Sequence, residues 1–199
     1  MIFRVAACAV WLAAATCLAV PPAAQAQEAE REAAVKAAFV YNFAKFTEWP
    51  KDRPDAEAGP IVLCISASSR LRPAADELQG KLVGSRPLRT MVLSDGGNAT
   101  MCHVLFIDDS TPPRLRQQAE SDLYGVLTVS DLPNFARAGG NIGFYSAANQ
   151  LRFQINLDAA RRSGIGFSSK LLRLADVIGQ QSSLAPRLAV ARRSAGRWL

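Results

Sequence analysis

Six short strand candidates, at 61–66, 87–93, 103–107, 124–130, 141–146 and 150–156, are separated by stretches of helical period. That spacing constrains the fold of this 199-residue chain more than any other feature. Runs of this length bounded by Gly, Pro and polar clusters read as strands, and continuous apolarity reads as burial on both faces. Helices are predicted between them at 70–79, 112–121, 131–137 and 157–163, with a last one at 168–180. Such alternation implies a single α/β domain: a central, largely parallel sheet flanked by helices on both faces. Only Ala147-Ala148-Asn149 separates the last two runs. They are expected to pair as a hairpin, which makes the sheet mixed. Ahead of the strands, Val35, Phe39, Asn42/Phe43 and Phe46 recur at helical spacing and predict a first helix that Trp49-Pro50 ends. Glu28, Glu30 and Glu32 would put negative charge at the positive end of that helix.

The N-terminus carries the three parts of a secretion signal. Arg4 is the positive region, Val5 to Val20 is an uncharged apolar run, and Ala24-Gln25-Ala26 supplies small residues at −3 and −1. A retained anchor needs about 20 apolar residues, more than this run provides. Lipid attachment fits poorly, because Cys8 comes too early and Thr16 precedes Cys17. Cleavage before Gln27 is predicted, leaving an exported domain over 27–180. Residues 181–199 lose the apolar period and read as a mobile basic tail.

Export changes the meaning of the cysteines. Cys8 and Cys17 leave with residues 1–26, so Cys64 and Cys102 remain. An even pair in an oxidising compartment is expected to form a disulfide. The alternative is a metal pair completed by His103, although two thiols and one imidazole at these spacings match no common zinc pattern.

Charge and motifs exclude several function classes. The formal charge is +6, but Arg187, Arg192, Arg193 and Arg197 follow the last acid, Asp176. Between Gln27 and Asp176 there are 18 basic and 17 acidic residues, so no basic stripe for nucleic acid is expected. There is no G-x-S-x-G, S-x-x-K, H-E-x-x-H or Walker A motif. Gly164-Ile165-Gly166 lacks the third glycine of a dinucleotide fingerprint and reads as a turn, with Ser168 or Ser169 capping the next helix. His103, the one histidine, reads as a strand residue with a satisfied ring. Asp108-Asp109, followed by Ser110-Thr111-Pro112, reads as a cap for the next helix. Trp49, Phe135 and Phe153 suit a pocket or a core. No enzyme, cofactor or metal is expected from this inventory.

Several ordered segments resemble the YfiR family. They are Val35 through Pro50, Leu63-Cys64-Ile65, Cys102 through Ile107, Leu127 through Asp131, Gly139-Gly140-Asn141-Ile142, Arg152 through Ala160 and Ser168 through Ala175. The resemblance covers about 32–178. It implies a periplasmic repressor that binds the periplasmic PAS-type region of a membrane-bound diguanylate cyclase, lowering cyclic di-GMP and biofilm formation. It also implies release by an OmpA-like outer-membrane lipoprotein, and a homodimer. The best known member has a second disulfide later in the chain. Here only the Cys64–Cys102 pair carries over. Trp49, Arg152, Phe153, Lys170 and Arg173 are the candidate contact residues, since they mix aromatic character with charge. The rival reading is a small-molecule sensor in which Arg152, Lys170 or Arg173 faces an anionic or nucleotide-like ligand.

Overall fold

The structure, a computed structural model, describes residues 22–55, 58–121 and 123–179. Residues 1–21 of the predicted signal segment (1–26) and the predicted tail (181–199) lie outside the described residues. A long helix α1, Pro22–Phe46, opens the fold, followed by β1 (Thr47–Glu48), β2 (Ile61–Ser66), α2 (Arg72–Asp76), β3 (Leu82–Val83) and β4 (Arg86–Leu93). Next come β5 (Val104–Ile107), α3 (Pro113–Glu120), β6 (Leu127–Ser130), β7 (Ile142–Ala147) and β8 (Gln150–Asn156). The chain continues through α4 (Leu157–Arg162), β9 (Gly166–Phe167), α5 (Ser169–Leu172) and β10 (Asp176–Ile178).

Eight strands form one mixed sheet in the order β10-β8-β7-β6-β5-β2-β4-β3. Its pairings are parallel except β7 with β8 and β3 with β4. The central strands β2 and β5 alternate their side chains between two buried layers. Leu63, Ile65, Val104 and Phe106 face a layer closed by Ala37, Val40 and Phe43 of α1 and Ala75 of α2. Cys64, Leu105 and Ile107 face the opposite layer with Leu115 and Ala119 of α3. Period-2 alternation with both sides apolar is why these strands are apolar throughout. The expected α/β fold, with helices on both faces, is what forms. The β7–β8 hairpin forms too, turning through Ala148 and Asn149 at φ of 49° and 59°.

Several local predictions need correction. The fully buried stripe of α1 is Ala37, Val40, Phe43 and Ala44, with Phe39 and Phe46 of the predicted face packed on the same core; Val35, however, is 47% exposed, and Asn42 is exposed. The helix starts at Pro22, which tolerates a first position because no N–H is needed there. Glu28, Glu30 and Glu32 therefore stand beyond its first turn. Residues 131–137 form turns instead of a helix: Pro133 has no N–H and Asn134 is left-handed at φ 60°. The predicted 168–180 helix is only Ser169–Leu172. Beyond it, β10 pairs in parallel with β8, where β-branched Val177 and Ile178 suit an extended backbone better than a helix.

Candidate partner-binding surface

The N-terminal ends of the strands are closed by a polar cluster built on Arg53. This buried guanidinium donates to the carbonyls of Cys102 (3.1 Å) and Gly125, and pairs with Asp55 through Nε (2.8 Å) and Nη2 (3.3 Å). His103 is fully buried beside it, its Nδ1 accepting the Val62 N–H at 3.2 Å. Its Nε2 lies 3.0 Å from Arg86 Nη2 and 3.4 Å from Asp55 Oδ2. Trp49 packs edge-on to the imidazole, 5.5 Å between centroids. Burial and the Arg53 charge push the His103 pKa down to about 4; Asp55 opposes them and Arg86 adds to them. The ring is neutral at pH 7, a satisfied strand histidine. Cys64 and Cys102 are bonded to each other, with 5.8 Å between their Cα atoms. Both sulfurs are thus consumed, and the metal alternative with His103 fails. Among the described residues no group of three or more His, Cys, Asp or Glu side chains is placed to hold a metal.

At the C-terminal ends of the strands a second network serves loop geometry. Asp108 accepts from Ser69 Oγ, Ser110 N (3.1 Å), Ser110 Oγ (2.6 Å) and Thr111 Oγ1 (3.2 Å). It ties β5 to the loop after β2. It does not cap α3, whose N-cap is Pro112 without a side-chain bond. Lys36 of α1 holds Glu32 and Asp131, each at 2.7 Å. Burial works against its charge, but the two carboxylates outweigh that and raise its pKa above the usual lysine value.

The sequence-derived contact residues are spread over separate elements: Trp49 after β1, Arg152 and Phe153 on β8, and Lys170 and Arg173 at α5. β1 pairs antiparallel with β9, Thr47 opposite Phe167, which brings the end of α1 to the segment leading into α5. Ser168 caps α5, its side chain accepting from Leu171 N. Trp49 is half-buried at this junction, packed on the α1 layer. Phe153 is 4% exposed and belongs to the core, stacked among Phe39, Phe43 and Phe144. Arg152, Lys170 and Arg173 are exposed, and none bonds to another described side chain. The sequence reading missed two apolar residues beside them, Leu174 (74% exposed) and Val177 (39% exposed). Both sit where a helix was expected to bury them; the signal was the β-branched Val177-Ile178 pair.

Fold and surface together define a single α/β domain. Its buried polar groups hold loops and strand ends, and its unpaired charge lies beside exposed apolar side chains at one sheet edge. The chain belongs to the YfiR/HmsC-like family, whose model matches residues 33–176. That family is periplasmic and regulatory, not catalytic, and acts in diguanylate cyclase signalling. No helix among the described residues is long and apolar enough to cross a membrane. One solved structure, a conserved domain protein from Vibrio cholerae, superposes with a TM-score of 0.40 at 10% identity. The overlap covers 61% of this chain and 54% of that one, so the chain spans about half its length, and the likeness carries no argument.

Proposed function

We propose that residues 27–180 form a periplasmic repressor that binds the periplasmic PAS-type sensor region of a membrane-bound diguanylate cyclase and lowers cyclic di-GMP. The family match across 33–176 carries this reading. Repression by contact requires that the domain bind the inhibited state of its partner more tightly than the active one. The β10 edge offers what such a contact uses: Leu174 and Val177 for apolar area, with Lys170, Arg173 and Arg152 as charged residues of β8 and α5. Removal of residues 1–26 would start α1 at Gln27 and bring Glu28, Glu30 and Glu32 to its first turns, where the helix dipole favours them. Homodimer formation and sequestration by an OmpA-like outer-membrane lipoprotein complete the proposal. The test is deletion of the gene combined with affinity capture of membrane partners by the tagged domain. Raised cyclic di-GMP and surface attachment, with a diguanylate cyclase co-purifying, is the expected result. Unchanged cyclic di-GMP with no cyclase captured would refute the reading.

A further inference from the structure

The sheet reverses its winding at β2. From β2 the chain moves outward to β4, then returns past β2 to β5 and proceeds through β6 and β7 on the other side. In open α/β sheets such a reversal leaves a crevice outside the carboxyl ends of the strands, because the flanking connections depart to opposite faces. Here the crevice is a cavity of about 300 Å³, bounded by the N-terminal half of α1 and by the loops after β2, β5 and β6. That volume is at the lower end of the range for small-molecule sites.

The lining sorts into committed and uncommitted charge. Lys36 is held by Glu32 and Asp131, and Asp108 by three hydroxyl side chains. Arg70 and Asp109 also line the cavity, and both are exposed. Neither side chain forms a hydrogen bond or ion pair with a described residue, and they do not pair with each other. Leu71 and Phe106, both buried, supply apolar wall to the same cavity. Opposite charges that share a cavity and stay apart beside apolar wall complement a molecule carrying both charges on a short apolar stem. A simple anion would leave Asp109 facing like charge, and a simple cation would do the same to Arg70.

We propose that this cavity binds a small soluble zwitterion, its carboxylate on Arg70 and its ammonium on Asp109. The site is separate from the β10 edge and stands whether or not the chain represses a cyclase. Calorimetric titration of the purified protein with δ-aminovalerate, valerate and pentylammonium tests it, since the three probes share one stem and differ in charge. δ-Aminovalerate should bind saturably and the other two about tenfold more weakly or not at all. Arg70→Gln and Asp109→Asn should each weaken δ-aminovalerate binding by about tenfold or more, the usual size of a lost charge-assisted contact. Both variants should keep the parent melting temperature, which separates lost binding from lost folding. Equal binding of all three probes, no binding of δ-aminovalerate, or undiminished binding in both variants would overturn the assignment.

Discussion

The two ends of the sheet differ in how much charge they leave uncommitted. At the N-terminal ends of the strands, Arg53, Asp55, Arg86 and His103 are bonded to one another or to backbone carbonyls, beside a disulfide. At the C-terminal ends and the β10 edge, Arg70, Asp109, Arg152, Lys170 and Arg173 bond to no described side chain. Charge that is fully committed stabilises, and its removal leaves buried partners without bonds. Uncommitted charge contributes little to folding and is available to a ligand or partner. Substitutions at the two ends should therefore separate into stability effects and binding effects.

The largest stability effect belongs to the crosslink. It spans 38 residues, for which chain entropy predicts about 4 kcal/mol. Cys64→Ser should lower the unfolding free energy by about that much in denaturant titration under oxidising conditions. A loss below about 1 kcal/mol would mean that this end is held without the bridge.

Arg53→Met comes next, at about 3 kcal/mol. The Cys102 and Gly125 carbonyls would lose their buried donor, and Asp55 its partner. Gly125, at φ +70°, has no room for a Cβ against the Arg53 side chain, so the guanidinium cannot be traded for a larger neighbour there.

His103 gives a pH signature of up to about 3 kcal/mol. Its folded pKa, about 4, lies below the ordinary 6.5, so the native state binds fewer protons than the unfolded chain in between. Stability is full above about pH 6.5 and falls as the pH drops toward 4. His103→Asn, which keeps an acceptor near the Val62 N–H, should flatten that fall in urea titrations at stepped pH. An unchanged slope would assign the acid sensitivity to the carboxylates instead.

Legibility in the sequence follows the same division. The β2 and β5 runs were readable because burial on both faces demands unbroken apolarity, and the β7–β8 hairpin because so few residues separate its strands. The 168–180 segment misled because its period matches a helix, while the free edge of β8 offers backbone bonds no local pattern announces. The Arg53 cluster was hidden for a related reason. Arg53 comes from a loop, Arg86 from the start of β4 and His103 from just before β5, and only the pairing of the sheet assembles them. Charges at Arg53 and Asp55 in a loop between Pro50 and Pro60 were the one available hint. Lys170 and Arg173 were readable as exposed basic residues, but the apolar pair beside them became visible only once β10 was a strand.

The smallest stability effect and the central claim meet at Arg173. Because it is exposed and bonds to no described side chain, Arg173→Ala should change the unfolding free energy by less than about 0.5 kcal/mol. The direct measurement is cellular cyclic di-GMP in a deletion strain complemented with either wild-type protein or Arg173→Ala, with periplasmic protein levels matched. The wild type should return cyclic di-GMP to the parental level, and Arg173→Ala should leave it near the level of the deletion strain. Full restoration by a stable Arg173→Ala protein would contradict repression through the β10 edge.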